Sequence, residues 1–179
     1  MRKVVAGLAV TLDGVVDSPS VNWMRFDGEM GDIIAAGVAE ADAILLGTTT
    51  YLEFARLWPR LGSDVPMADF MNHTPKYVAS RTLTTLEWSG SRLLEGELAE
   101  AVTALKRAPG KNIQVPGSPR LVRSLLYAGL LDELALMIHP VVLGAGARLF
   151  DGAAGPLDLR LVSSRTLRSG VISATYAPG

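Results

Sequence analysis

The first chemistry-bearing segment of this sequence is a glycine followed by three threonines. An apolar run, Ala43–Leu46, stops at Gly47, the hydroxyl residues Thr48, Thr49 and Thr50 follow, and residues 51–54 favour a helix. A helix that starts directly after a strand presents free backbone N–H groups and partial positive charge, which suit a phosphate. The alternative is that Gly47 and a threonine only turn the chain and cap the helix.

A second strand-to-helix turn has the same properties. Gly117 permits close approach, Ser118 is a natural N-cap, and Pro119 suits the first helical position. Helix initiation alone explains these residues, yet two such termini and one arginine can together hold the phosphates of a dinucleotide. Arg81, directly after another predicted strand, is the candidate arginine, because a guanidinium pairs with phosphate through two hydrogen bonds. The alternative for Arg81 is a solvated surface side chain.

Two further residues precede the first helix. Asp13 follows the first predicted strand, where it can orient a substrate or donate a proton through water. An Asp-Gly turn, Asp13-Gly14, is the alternative interpretation. The ring of Trp23 can stack on a flat ligand or pack in the core.

Other kinds of site find little support. The chain has no cysteine and two histidines, His73 and His139, so we expect no metal site. His139 lies in an apolar strand and is interpreted as a satisfied core residue. The sequence has no G-x-S-x-G motif, Gly47–Thr50 has no P-loop lysine, and Gly144–Leu149 lacks the third glycine of a dinucleotide fingerprint.

The composition is that of an ordinary globular protein. The 179 residues are 49% hydrophobic and 20% charged, which predicts one domain over residues 1–179. A net charge of −1 argues against nucleic acid as the main partner. The apolar N-terminus is interpreted as a buried strand rather than a signal peptide, and no apolar run approaches the roughly 20 residues of a membrane span. We therefore expect a cytoplasmic protein with a small-molecule substrate and no membrane or nucleic-acid partner.

The hydrophobic pattern predicts an α/β fold. Strands are expected at 3–10, 43–46, 76–80, 92–94, 112–115 and 134–143, helices at 28–40, 51–57, 64–72, 97–107 and 120–128, a loop at 15–27, and a hairpin from strands 159–166 and 170–177. Alternating strands and helices indicate a mostly parallel central sheet with helices on both faces, and the hairpin adds antiparallel strands at its C-terminal end.

Ligands of such sheets bind beyond the carboxyl ends of the strands. That rule selects four segments of this chain, which are Thr11–Gly14, Gly47–Thr50, Ser80–Thr82 and Gly117–Ser118. All the candidate polar turns are therefore expected at one edge of the sheet.

The chain resembles the dihydrofolate reductase-like superfamily over nearly its whole length. It is most similar to the reductase domain at the C-terminus of bifunctional riboflavin-biosynthesis proteins and to the stand-alone bacterial relatives of that domain. The resemblance rests on an ordered set of segments: Leu12–Gly14, AILLGTTTY at 43–51, PKYVASRTL at 75–83, GSPRLVRSLL at 117–126, HPVVLGAGARLF at 139–150 and the Ser-Gly turn at 169–170.

The resemblance implies a three-layer fold, NADPH as cofactor, hydride transfer to a heterocycle or carbonyl, and a homodimer. By position in the motifs, it assigns Gly47, Thr48 and Thr50 to the first pyrophosphate turn and Ser80 and Arg81 to the ribose phosphate. It likewise assigns Gly117, Ser118 and Leu121 to the second glycine turn, and Asp13 and Trp23 to the nicotinamide and substrate end.

Two positions depart from the family pattern. Dihydrofolate reductases have a basic residue after the first-turn glycine, where this chain has Thr48, which leaves Arg81 to supply preference for NADP. Riboflavin reductases have a substrate-binding glutamate two residues before the second-turn glycine, where this chain has Val115. The riboflavin intermediate is therefore disfavoured as the substrate.

Three functions are compatible with these residues. The first is an NADPH-dependent reductase, in which Asp13 is the tentative catalytic residue and Asp13, Trp23 and Val115 face the substrate. The second is a non-catalytic nucleotide-binding protein that retains the fold. The third is a structural dimerisation module, in which the apolar strand 134–143 pairs across a two-fold axis.

Overall fold

The computed structural model describes residues 1–17 and 22–179. The strands are β1 (Val4–Thr11), β2 (Val15–Asp17), β3 (Ala41–Gly47), β4 (Lys76–Ala79), β5 (Ser91–Leu93), β6 (Asn112–Gly117), β7 (Glu133–His139), β8 (Ala147–Arg148), β9 (Leu159–Thr166) and β10 (Ile172–Pro178). The helices are α1 (Gly28–Ala39), α2 (Thr48–Leu57), α3 (Ala68–His73), α4 (Leu98–Arg107) and α5 (Pro119–Tyr127), with a 3-10 turn at Trp58–Arg60.

Eight strands form one twisted sheet in the order β5-β4-β3-β6-β1-β7-β10-β9. The six strands from β5 to β7 are parallel to one another, and the last two are antiparallel. The apolar runs of β1 and β3 lie in the middle of the sheet, because strands covered on both faces need side chains that tolerate burial on both. The predicted α/β sheet with a C-terminal antiparallel pair is confirmed.

Helices cover both faces of the sheet and give it three layers. On β3, Ala43 and Leu45 join the core under α4 and α5, which contribute Val102, Leu121, Val122, Leu125 and Leu126. The alternate residues Ile44 and Leu46 join a second core on the other face, with Tyr51 of α2 and Met71 of α3. A smaller cluster holds Met30 of α1 against Leu167 and Val171.

The predicted pairing of strand 134–143 with a second copy is wrong. The strand ends at His139, and β7 is hydrogen-bonded to β1 along one edge and to β10 along the other. No backbone edge of β7 remains for a partner chain. Within the described residues, β5 and β9 are the outer strands of the large sheet.

Several boundaries differ from the sequence pattern. Residues 15–17 of the expected loop 15–27 form β2, which pairs with β8 in a small second sheet, while residues 18–21 of that loop lie outside the described residues. The helix expected at 64–72 begins only at Ala68, because Met67 takes a left-handed conformation (φ 69°) at its start. The strand expected at 76–80 ends at Ala79, and β10 begins at Ile172 rather than at residue 170.

Candidate active site at the carboxyl edge of the sheet

Five parallel strands end at the same edge of the sheet and bring most of the predicted polar segments together. Across this edge the order is β4, β3, β6, β1 and β7. The residues at or just beyond these ends are Ser80, Gly47, Gly117, Thr11 and His139, respectively. Segments that lie far apart in the sequence therefore become neighbours, as the strand-end rule predicts.

The two strand-to-helix turns, Gly47–Thr50 and Gly117–Ser118, contact each other through their glycines. A Cβ atom at Gly47 would collide with the Ser118 hydroxyl and lie 3.1 Å from the Ser118 nitrogen. A Cβ atom at Gly117 would lie 2.6 Å from Thr50 Oγ1, and the φ of Gly117, 149°, is one that other residues rarely adopt. Both glycines are therefore required for the two turns to approach this closely.

Two helices begin at this contact without a side-chain cap. Gly47 is the N-cap of α2, and Ser118 is the N-cap of α5, but no side chain accepts a hydrogen bond from the first turn of either helix. The interpretation in which a threonine or Ser118 serves mainly as a capping side chain is therefore not supported. The free first-turn N–H groups and the helix dipoles make this contact favourable for an anion.

Thr48 connects the Gly47–Thr50 turn to the turn that follows β4. Its hydroxyl donates to Ser80 Oγ at 2.9 Å, and Ser80 Oγ also accepts from the backbone nitrogens of Leu83 (3.1 Å) and Thr82 (3.3 Å). Ser80 thus organises the turn after β4. Arg81 follows as an exposed residue, and the hydrogen bonds and ion pairs of residues 1–17 and 22–179 include none from its guanidinium.

Asp13 holds the segment that follows β7. Its Oδ1 accepts from Thr11 Oγ1 at 2.6 Å and from the Leu143 nitrogen at 3.2 Å, and its Oδ2 accepts from the Gly144 nitrogen at 2.8 Å. The guanidinium of Arg148 lies 3.8 Å from the same carboxylate. The Thr11 hydroxyl, and after it the Gly144 N–H, lower the pKa of Asp13 to about 2. At neutral pH the group is a carboxylate with no proton to donate.

Three predicted contact residues are buried. Trp23 is 8% exposed and stands edge-on against the His139 ring, with 5.3 Å between ring centroids. Val115 is fully buried in the core under α4 and α5, so its side chain offers no surface to a substrate in this structure. Leu121 also packs in that core, and its backbone lies in the first turn of α5.

The sequence interpretation missed His139 as a residue of this edge. The side chain is 1% exposed, but neither ring nitrogen has a hydrogen-bond partner among the described residues, so the interpretation as a satisfied core histidine is wrong. The available signal was its position, since a strand beginning near 134 ends close to His139.

Neither metal ligation nor membrane insertion is indicated by the described part of the chain. No group of three His, Cys, Asp or Glu side chains within residues 1–17 and 22–179 is arranged to hold a metal ion. None of the helices described is both long enough and apolar enough to cross a bilayer.

The family is decided by a match that spans almost the whole chain. The sequence model of the family described as RibD C-terminal domain matches residues 2–173. The chain belongs to this family. Its relatives include the uncharacterized protein YyaP of Bacillus subtilis, which is 32% identical over 180 residues, with 98% of this chain and 94% of YyaP covered.

Solved structures place the RibD C-terminal domain fold of this chain beside two kinds of protein. The putative riboflavin biosynthesis protein from Shewanella sp. PV-4 is similar with a TM-score of 0.80 and 21% identity, covering 100% of this chain and 99% of that one. Dihydrofolate reductase from Enterococcus faecalis, complexed with NADP(H) and RAB-propyl, has a TM-score of 0.65 and 12% identity, covering 99% and 96%. The dihydrofolate reductase-like fold expected from the sequence is confirmed.

Proposed function

We propose that this protein is an NADPH-dependent reductase that transfers hydride to a small heterocycle, pyrimidine- or pterin-like, or to a carbonyl compound. The observation that carries the proposal is the contact between Gly47 and Ser118 and between Gly117 and Thr50. At both glycines one turn lies directly against the other, where a Cβ atom would collide, and two helices without a side-chain cap begin at this contact. Such a cradle suits a pyrophosphate.

In this proposal, two of the three turns bind the pyrophosphate and the third binds the ribose phosphate. The backbone of Gly47, Thr48 and Thr50 and that of Gly117, Ser118 and Leu121 would hold the pyrophosphate. Ser80 and Arg81, one strand further along the edge, would hold the ribose phosphate that distinguishes NADPH from NADH. Once bound there, NADPH would supply the hydride, and the protein would supply orientation and electrostatics.

The relatives support this function. The chain belongs to the RibD C-terminal domain family, and the similar protein from Shewanella is named for riboflavin biosynthesis. The Enterococcus dihydrofolate reductase, which has the same fold, is a complex with NADP(H). Since those two structures are 21% and 12% identical to this chain, they support the fold directly and the cofactor only by analogy.

Asp13 acts by orientation in this proposal. Its carboxylate joins the ends of β1 and β7 through Thr11 and Gly144, and so positions the backbone at the substrate end of the edge. A group with a pKa of about 2 remains ionised during turnover at neutral pH. A proton needed by the product would then come from water rather than from Asp13.

A second candidate is a non-catalytic nucleotide-binding protein with the same fold. Two observations favour it: Asp13 is fully engaged as a hydrogen-bond acceptor, and Val115 is buried where related reductases have a substrate-binding glutamate. Both candidates predict NADPH binding. They differ in whether NADPH is consumed.

The test combines binding with turnover. Intrinsic fluorescence is titrated with NADPH and NADH, and loss of NADPH absorbance is followed with a panel of pterins, pyrimidines and carbonyl compounds. A reductase binds NADPH and consumes it with at least one compound. Binding without consumption across the panel favours the second candidate, and no binding at millimolar NADPH rejects both.

We also propose a homodimer, formed through the open edge of β9 rather than through β7. Leu161 and Val162 on this outer strand are 51% and 47% exposed, and exposed apolar edge strands invite pairing with another chain. Light scattering gives the oligomeric state. A monomer at micromolar concentration rejects the dimer, and a dimer that Val162→Lys leaves intact rejects this edge as the interface.

A further inference from the structure

The buried ring of His139 has no hydrogen-bond partner on either nitrogen among the described residues. Its side chain is 1% exposed at the end of β7. Leaving a buried donor or acceptor unpaired destabilises a fold, and native proteins pair nearly all such atoms. Two unpaired atoms on one ring are therefore a feature that folding stability does not explain.

His139 lies on the same sheet edge as the phosphate-binding turns proposed above. It is the register partner of Thr11, the last residue of β1, and β1 is the neighbour of β6, which ends at Gly117. Two strand spacings separate β6 from β7, which is about 10 Å. The ring thus lies on the far side of the cradle from Arg81, where the reactive end of a dinucleotide and its substrate would meet.

Trp23 forms the cover of this position. Its ring meets the His139 ring at 89°, with 5.3 Å between centroids, and only 8% of the tryptophan is exposed. A ligand that binds His139 on this side must displace the Trp23 ring.

The C-terminal hairpin packs beside the end of β7 and is held there by α1. A Cβ atom at Gly170 would lie 3.5 Å from Pro140 Cγ, so the hairpin turn packs beside the end of β7. Glu29, in the first turn of α1, accepts from Arg165 Nη2 at 2.9 Å and from the Arg168 nitrogen at 2.8 Å. The hairpin turn beside the end of β7 is thus tied to α1.

The surroundings of the ring favour an uncharged ligand. Burial lowers the pKa of His139, the positive charge of Arg25 lowers it further, and the negative charge of Asp27 opposes them. The ring is therefore neutral at pH 7, with one N–H donor and one bare nitrogen acceptor. Since Arg25 and Asp27 have opposite charges, their fields do not select a charged ligand. One ring nitrogen can therefore pair with the N–H or with the carbonyl of an uncharged planar ring that carries both.

We propose that Trp23 and His139 form the substrate end of the site, where one ring nitrogen of His139 hydrogen-bonds the lactam or ureide edge of an uncharged heterocycle. The inference rests on the proposed function for the reaction that this heterocycle undergoes. It makes His139 the residue that selects the substrate class. Val115 cannot take this role, because its side chain has no accessible surface.

The first test observes the ring directly. His73 and His139 are the two histidines of the chain, so nitrogen-labelled histidine gives two sets of signals, and His73 is an exposed internal control. Uracil is the probe, and N,N′-dimethyluracil, which has no N–H, is its matched control. We expect uracil to shift the His139 signals, while dimethyluracil does not. His139 signals that stay unchanged up to millimolar uracil, with and without NADPH, overturn the proposal.

The second test separates binding from packing. His139→Leu removes the unpaired atoms at similar volume, so we expect Tm to rise by about 2–4 °C while uracil affinity falls at least tenfold. NADPH affinity should stay unchanged, and His73→Leu should change none of the three. A lower Tm with unchanged uracil affinity makes the ring a structural residue and overturns the proposal.

The proposal can also be tested if His139→Leu does not fold or if the protein binds no NADPH. If His139→Leu does not fold, His139→Gln takes its place, and the wild-type histidine signals still decide the question. If uracil shifts His139 but the wild-type protein binds no NADPH, the cofactor proposal fails and the assignment of His139 stands.

Discussion

Gly117 lies so close to Thr50 that a single methyl group at Gly117 would come within 2.6 Å of the threonine hydroxyl. This contact joins the turn before α5 to the first turn of α2, although 67 positions of sequence, 117 − 50, separate the two residues. It converts two ordinary strand-to-helix turns into one cradle.

Gly117→Ala should close the cradle. The added Cβ meets Thr50 Oγ1, so we expect a loss of about 1–3 kcal/mol in the free energy of unfolding, and NADPH affinity at least tenfold lower. Chemical denaturation and fluorescence titration measure the two effects. Gly152→Ala is the control, because Gly152 also has a positive φ (69°) but a Cβ atom added there would meet no other atom within 4 Å.

The double variant Gly117→Ala/Thr50→Ala shows whether the collision is the cause. Removing Oγ1 leaves ordinary contact distances, so part of the lost stability should return, and the two substitutions should not be additive. Additive losses would mean that Gly117 matters for its backbone conformation alone.

Arg81→Ala should weaken NADPH and leave NADH nearly unchanged. Hydrogen bonds to charged groups contribute about 1.5–3 kcal/mol, which corresponds to roughly a 10- to 150-fold loss in affinity. Calorimetric titration with both cofactors measures the ratio. Arg92→Ala is a matched control on the next strand, since the Arg92 guanidinium lies over the Tyr77 ring, 5.2 Å from its centroid. Equal losses for NADPH and NADH would remove Arg81 from the ribose phosphate.

How much of this site could be predicted from sequence depends on the kind of information that each feature needs. The strand ends at Gly47, Ser80 and Gly117 were predictable, because parallel strands place their carboxyl ends at one edge whatever their order in the chain. The close contact between Gly117 and Thr50 was not predictable, since it depends on which two strands are neighbours.

Other features depend on pairing and packing that no local pattern records. The apolar run of β7 is equally consistent with an outer and an inner strand, and only its bonds to β1 and β10 exclude pairing with a second copy. The strands β2 and β8 contain three and two residues, too few for a period of two to be visible. Whether a buried histidine such as His139 is satisfied depends on neighbours from distant segments.

Asp13→Asn should lower Tm at pH 7, because an amide cannot accept from Thr11, Leu143 and Gly144 as a carboxylate does. The pKa of Asp13 is lowered from 3.8 to about 2, so its contribution to stability is present above pH 3.8 and is lost as the pH falls toward 2. The Tm difference between wild type and variant should therefore shrink between those values. Asp151→Asn, at an exposed position, should give no such trend. A difference that is constant with pH would contradict the hydrogen-bonding pattern.

Lys76 gives a second pH dependence of stability, which comes from burial of the side chain instead of hydrogen bonds to its charged form. The side chain is fully buried at the start of β4, donates to the Asn72 and Thr74 carbonyls, and lies 4.5 Å from the Trp88 ring centroid. Burial lowers its pKa from 10.5 to about 8. Between these values the unfolded chain holds a proton that the folded chain has released, so stability should rise with pH.

Lys76→Met should remove that rise. Chemical denaturation from pH 7 to 10.5 measures the slope for wild type and variant, and the exposed Lys111→Met serves as the control that keeps it. The same slope in Lys76→Met and wild type would show that the rise comes from other groups.

Phosphorus NMR of NADPH tests phosphate binding by these three turns, because it observes each phosphate separately. With the wild-type protein, the pyrophosphate and ribose phosphate signals should both shift or broaden. With Arg81→Ala at a concentration that still binds, only the pyrophosphate signals should respond, and with Gly117→Ala both responses should require at least tenfold more protein. If none of the phosphorus signals changes with saturating wild-type protein, these turns do not bind the cofactor and the account is contradicted.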